Sequence, residues 1–275
     1  MADVMTTDHP AWQAAADGGR VRAVRTATAA WILAFDRHGL HLTCASGRED
    51  VKPVTIVTDP AHLPARAPAD LRAGLTRLGP THRVANPWLW DAITTAIFRQ
   101  VVRAEQARKL YRAWCRTFGS PVASPFGGLH LAPTSSEVLA LADEQFAGVG
   151  AKFHRTTLRA AAEHYEQHAE RWRHMDAREL VPALTGIPRI GPWTAAAAAA
   201  DFTGDFSVYP HDDLAVRTWA AQIAPTHPWP DKKDKGFGPM WTGWARADRT
   251  ALHTLTLSTL TWGSHAPDQQ ASCGD

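Results

Sequence analysis

Hydrophobic and polar positions follow two rhythms along this chain, and the change of rhythm divides it. Between residues 21 and 58, VRAVRTATAAWILAF, GLHLTCA and VKPVTIVTD are separated by Asp36-Arg37-His38-Gly39 and Ser46-Gly47-Arg48. β-branched stretches between turn formers predict about two to four antiparallel strands. Residues 59–80 begin proline-rich and end in a brief helical pattern, a linker plus one short helix. From residue 86 the spacing is helical. Asn86-Pro87 reads as a cap and a first-turn proline for a segment that ends at Gly119. A break around residues 100–103 makes that segment two helices. Residues 120–133 form a Pro/Gly loop. Thr134-Ser135-Ser136-Glu137 fits a capping box for the helix EVLALADEQF, which Gly148-Val149-Gly150 stops. A long helix follows over 152–172, another starts at Asp176, and the last spans about 244–262. The fold class predicted is mainly α with a smaller N-terminal β (α+β) subdomain. Residues 1–20 read as a flexible terminus, 21–80 as the strand-rich subdomain with its linker, 81–265 as the helical domain and 266–275 as a polar tail.

The stretch LTGIPRIGPWTAAAAAADFTGDFSVYPHDDLAVR, residues 184–217, is where chemistry concentrates. A tight turn from Gly186 to Gly191 enters a helix at Pro192-Trp193-Thr194. That helix is nearly all alanine and has no bulky face, so it can lie close against other backbone. A polar turn over 201–207 leads to Tyr209-Pro210-His211, then Asp212-Asp213 and a second helix start. Glycine permits positive φ and close backbone approach. A proline at the first helical position leaves the next N–H groups pointing outward, where the helix dipole favours an anion. The turn can therefore cradle a phosphate without a lysine. An ordinary pair of packed helices that binds nothing has the same turn.

Composition narrows the classes. Of the 275 residues, 45% are apolar, enough for a core. No apolar run is long enough to span a membrane, and the start MADVMTTDHPAW lacks the pattern of a signal peptide. The three cysteines, Cys44, Cys115 and Cys273, show no ligand spacing. They point to reduced thiols in a cytoplasmic protein and exclude a four-cysteine zinc or iron–sulfur site. A net charge of +2 neither demands nor excludes nucleic acid. The twelve tryptophans are core-forming residues that can also stack on a base.

The order of these parts resembles the helix-hairpin-helix (HhH-GPD) superfamily of DNA glycosylases, and within it the bacterial 3-methyladenine DNA glycosylase II type. Its hairpin pattern, Leu-Pro-Gly-hydrophobic-Gly followed by Thr-Ala and a later aspartate, is matched by LTGIPRIGPWTA and Asp213. AIFRQVVRAEQARKLYRAWCRTFG is similar to the upstream segment of the family, and WTGWARADRTALHTL to its downstream segment. The likeness covers about residues 86–262.

The resemblance implies roles residue by residue. Trp193 stands where bifunctional relatives carry a Schiff-base lysine. An indole forms no imine, which implies a monofunctional enzyme with Trp193 lining the base pocket. Asp213, rather than Asp212, is implied as the catalytic carboxylate, because it places Val216 at the apolar position three residues on. Gly186, Ile187, Pro188, Arg189, Ile190, Gly191 and Thr194 would hold DNA phosphate, with free N–H groups from Ile190 to Thr194 except Pro192. The carbonyls of Thr185, Ile187 and Arg189 would hold a monovalent cation, Na+ or K+. No other cofactor is implied. Val101, with Gln100 beside it, would fill the gap left by a flipped nucleotide. Trp241 and Trp244 would shape the pocket or pack. The chain departs from the pattern at Arg189, where the family prefers glycine. The implied partner is duplex DNA containing a damaged base, bound by a monomer associated with the nucleoid. A non-catalytic DNA-binding module and a glycosylase for another lesion class remain alternatives.

Overall fold

The computed structural model describes residues 4–100, 102–231 and 233–271, and of 266–271 the backbone alone. In chain order the elements are β1 (Val4–Met5), β2 (Gln13–Ala14), β3 (Arg20–Arg25), β4 (Ala29–Asp36), β5 (Gly39–Gly47), β6 (Thr55–Thr58), α1 (Ala69–Leu78) and β7 (Thr81–Val84). Then come α2 (Leu89–Phe98), α3 (Ala104–Phe118), β8 (Pro121–Val122), β9 (Leu129–His130), α4 (Ser135–Ala140), α5 (Asp143–Gly148), α6 (Arg155–Trp172) and α7 (Ala177–Thr185). The chain closes with α8 (Pro192–Thr203), α9 (Leu214–Ile223), α10 (Phe237–Ala245) and α11 (Arg249–Ala271). The architecture is mainly helical with small sheets. Among the described residues no helix is long and apolar enough to cross a membrane.

The contacts divide the chain into two units that interleave in sequence. One comprises Met1–Asp8, Thr55–Val84 and Asp205–Asp275, and the other His9–Val54 and Ala85–Gly204.

In the second of these, β2-β3-β4-β5 form an antiparallel sheet in chain order. Val21 pairs with Ala34 and Leu33 with Leu42, and a bulge at Ala30/Trp31 shifts the register. Val21, Ala23, Ala30 and Ile32 pack with Val122, Leu129 and Leu131. The stretch predicted as a loop over 120–133 thus carries the two-stranded ribbon β8–β9. All ten residues of α2 are buried. The alanines of α8, Ala195 to Ala200, are buried as well, and α8 packs against α2 and α7. Without side chains beyond Cβ these alanines let the helices approach closely, at little entropic cost. The helix expected from EVLALADEQF is two short ones, because Leu141 is extended between them (φ −71°, ψ 135°) and the Gln145 side chain accepts from the Ala142 N–H.

A buried polar network sits in this unit where sequence reading placed nothing. Asp91 on α2 accepts from Tyr111 Oη (2.5 Å), Asn86 Nδ2 (3.0 Å) and Arg22 Nη2 (3.3 Å). Asn86 Nδ2 also donates to Asp201 (2.9 Å), and its backbone N–H donates to the Asp201 carbonyl. His9 Nε2 lies 3.0 Å from Thr95 Oγ1 and 3.5 Å from Asp91. Burial raises the Asp91 pKa against the opposing pull of Arg22. Asn86 therefore does not cap α2. The helix starts at Leu89, and Asn86 links α2 to α8. Asp201, expected in a polar turn, belongs to α8, which runs on to Thr203 and ends at Gly204 in the left-handed region (φ 74°).

In the other unit β1 lies parallel to β7, which pairs antiparallel with β6. Thr6 and Thr261 share a hydrogen bond (2.7 Å) that ties β1 to α11. His253 Nδ1 accepts from the Phe206 N–H (3.0 Å), so its Nε2 carries the proton facing Thr58 Oγ1 (2.9 Å). The last helical stretch starts earlier than predicted and is broken. α10 ends at Arg246 and Ala247, both at positive φ (47° and 66°), before α11 begins.

Candidate active site and nucleic-acid interface

The hairpin is built by its caps. Asp176 accepts from the N–H groups of Arg178 (2.8 Å) and Glu179 (2.9 Å), and Glu179 accepts from the Asp176 N–H (3.0 Å). This reciprocal box fixes the start of α7. At its other end Gly186 N–H donates to Pro182 and Ile187 N–H to Leu184. Ile187 and Ile190 then bury their side chains (2% and 4% exposed). Gly186, Pro188, Arg189, Gly191 and Pro192 are exposed. Two apolar anchors thus hold a turn whose other residues face outward.

The backbone geometry reassigns the role of the glycines. Gly186 (φ −68°) and Gly191 (φ −81°) have ordinary dihedrals, whereas Arg189 sits in the left-handed region at φ 69°. A Cβ added at Gly191 would meet nothing within 4 Å. Conformation and packing do not require glycine there, and what its absent side chain provides is open backbone. Arg189, the departure noted in the sequence, occupies the position where glycine would be unstrained. One expected donor is removed: Ile190 N–H is spent on the Ile187 carbonyl (3.1 Å). Gly191 is the N-cap of α8 and Pro192 its first residue, so the next helical N–H groups lie at the positive end of the dipole. At the C-terminal end of α7 the carbonyls lie at the negative end. Thr185 directs its hydroxyl back to the Val181 carbonyl (2.8 Å), and the Ile187 carbonyl accepts from Ile190 N–H.

Gln100 and Thr194 meet: Gln100 Nε2 donates to Thr194 Oγ1 (2.8 Å), joining the end of α2 to the start of α8. A cleft of about 460 Å³ opens beside this bond, lined by Gln100, Phe153, Thr157, Arg189, Gly191, Trp193 and Thr194. Trp193 is half-buried there, with the Arg99 guanidinium 5.9 Å from its ring centre. Val101 lies outside the described residues. Arg155 and Arg159 are both paired with Asp143.

Asp213 belongs to the unit that contains α9. It is the N-cap of that helix, half-buried, and accepts from Ala215 N–H (3.2 Å) and Tyr209 Oη (3.4 Å). Its neighbour Asp212 is occupied differently: it accepts from Arg217 (2.9 Å) and from Gly238 N–H (2.9 Å), tying α9 to α10. Val216 is fully buried. Arg217 also lies over the Phe237 ring at 4.6 Å. Trp241 is a correction. It is fully buried, and its indole N–H donates to Thr256 (3.1 Å), so it packs α10 on α11 and offers no face to a base. Trp244 is half-buried beside Trp229 and His227. His211 is half-buried, and burial lowers its pKa.

No protein-family model matches the sequence, and no curated protein matches it. Solved structures do. The chain is 17% identical to a 3-methyladenine DNA glycosylase from Archaeoglobus fulgidus, over 90% of this chain and 88% of that one, with a TM-score of 0.66. It is 12% identical to an 8-oxoguanine glycosylase/lyase from Clostridium acetobutylicum, over 93% and 89%, with a TM-score of 0.65. It is 17% identical to a 3-methyladenine DNA glycosylase from Schizosaccharomyces pombe solved with abasic DNA, over 75% and 96%, with a TM-score of 0.55.

Proposed function

We propose that the chain, whose architecture is the helix-hairpin-helix one of the DNA glycosylases it is similar to, is a monofunctional DNA glycosylase of base excision repair. It excises damaged, alkylated bases from duplex DNA in the cytoplasm, acts as a monomer, and resembles the 3-methyladenine type. The observation that carries the reading is Asp213: a half-buried carboxylate that caps α9, downstream of an outward-facing hairpin.

The chemistry follows from charge. Loss of the base leaves an oxocarbenium-like sugar, and a fixed carboxylate stabilises that positive charge and orients or deprotonates the attacking water. The caps from Ala215 N–H and Tyr209 fix the Asp213 carboxylate before the reaction, so little reorganisation is needed. An alkylated purine already carries positive charge and leaves without a strong general acid. The target nucleotide must leave the stack, at a cost of a few kcal/mol that is least for a damaged base. Phosphate contacts from the N-terminal turn of α8 and from Arg189 hold the backbone while this happens. A monovalent cation on the carbonyls of Thr185, Ile187 and Arg189 would add positive charge beside the same phosphate. Trp193 supplies a stacking face and no amine.

The test is an assay on duplexes carrying 3-methyladenine or 7-methylguanine. Wild type should release free base and leave an intact strand that breaks only on alkali treatment. Borohydride should trap no covalent complex. Strand cleavage without alkali would overturn the monofunctional assignment. Binding without base release from any lesion would make the chain a DNA-binding module.

A further inference from the structure

Phe153 is 75% exposed, more than any other large apolar side chain among the described residues. An aromatic ring left in water forgoes the stabilisation that burial would give it. Its mounting is rigid. Gly150 turns the chain at φ 77°, Ala151 N–H donates to the Phe146 carbonyl (2.7 Å), and His154 N–H donates to Ala151 (2.9 Å). Ala151 and His154 on either side are buried. His154 meets Phe153 edge-on at 5.4 Å and Phe98 at 5.3 Å, so the exposed ring is backed by the core. The ring borders the cleft that holds Gln100, Arg189, Gly191 and Trp193. No carboxylate lines that cleft among the described residues, and Lys152 next to Phe153 is exposed.

We propose that Phe153, rather than the Val101 implied by the family resemblance, is the positioning residue that stacks into duplex DNA at the gap left by the extruded nucleotide. This rests on the glycosylase reading above. The occupant is a nucleobase rather than an apolar protein segment, because the surroundings are cationic and rich in donors, suited to a polyanion. An aromatic ring is sequence-tolerant, since every base offers a π-face, and an apolar wedge offsets the cost of unstacking. Gln100 lies on the same cleft, its amide Nε2 engaged with Thr194 Oγ1.

The experiment compares wild type, Phe153→Ala and Phe153→Trp on two duplexes, one intact and one with a tetrahydrofuran abasic analogue. Fluorescence anisotropy gives the affinities, and 2-aminopurine opposite the analogue reports local unstacking. The ratio of abasic to intact affinity should fall about tenfold in Phe153→Ala and be kept in Phe153→Trp. The 2-aminopurine brightening expected with wild type should be lost in Phe153→Ala and kept in Phe153→Trp. If wild type prefers the abasic duplex and releases damaged bases while Phe153→Ala keeps both signals, this proposal fails and the glycosylase reading stands. If Phe153→Ala weakens both duplexes equally, Phe153 is a general contact and the proposal fails. If wild type neither prefers the abasic duplex nor releases a base, both fall.

Discussion

Replacing Arg189 separates strain from charge at the hairpin. Its φ of 69° is a left-handed conformation, which costs an L-residue about 1–2 kcal/mol. Glycine relieves that cost but loses about 0.5–1 kcal/mol of backbone entropy on folding. Arg189→Gly should therefore stabilise the protein by about 0.5–1 kcal/mol, raising Tm by roughly 1–2 °C for a chain of this size. Arg189→Ala keeps the strained dihedral and should melt near wild type. Asparagine tolerates the left-handed region, so Arg189→Asn should fall between. All three remove the exposed guanidinium. If it contacts one phosphate, the slope of log affinity against log salt should drop by about 0.9 in each variant. Thermal melts and salt titrations on duplex DNA give the two readings separately. Equal melting of the glycine and alanine variants would refute the strain argument. An unchanged salt slope would remove the phosphate contact.

Gly191→Ala should leave the melting temperature close to wild type, since its Cβ meets nothing within 4 Å and the backbone entropy gained offsets a poorer N-cap, yet weaken duplex binding about tenfold by obstructing approach to the α8 N-terminus; equal affinity would mean that DNA does not approach there. Asp91→Ala strands the buried Arg22 charge and should cost about 3–5 kcal/mol by urea titration, whereas a loss below about 1 kcal/mol would show that the network is not holding charge. Burial lowers the pKa values of His154, His211 and His253, so the unfolded chain binds protons first as pH falls. Stability from these groups is complete above their unfolded pKa, about 6.5, and is lost as pH falls through it toward the folded values. The urea midpoint should be flat from pH 8 to pH 7 and decline from pH 6.5 to pH 5, less steeply in His154→Phe.

The parts legible in the sequence were those set by local hydrogen bonds. Thr134 forms the box its spacing predicts and Asp176 starts the helix placed there, because all partners lie within one turn. The alanine helix and the hairpin before it were equally readable from Pro192 and the small residues that follow. The Asp91 network was not, since its partners come from β3, α2, α3, α8 and the segment before β2, far apart in the chain. Asp201 looked like a turn residue because a carboxylate after alanines usually meets solvent, and in the fold Asn86 and His9 meet it in the interior. The hairpin glycines suggested where positive φ should fall, yet periodicity and composition carry no dihedral, and the strain falls on Arg189. Trp241 shows the ambiguity of tryptophan: a buried indole with a satisfied N–H and a stacking surface read alike until accessibility is known.

The central claim rests on the Asp213 carboxylate, and Asp213→Asn isolates it. Asparagine caps a helix about as well as aspartate, so the variant should fold and melt like wild type and bind duplex DNA. Single-turnover release of 3-methyladenine from a defined duplex is the measurement. The rate should fall at least about a hundredfold, the scale expected when a group that stabilises transition-state charge is removed. Release at the wild-type rate by a folded Asp213→Asn protein would contradict the claim.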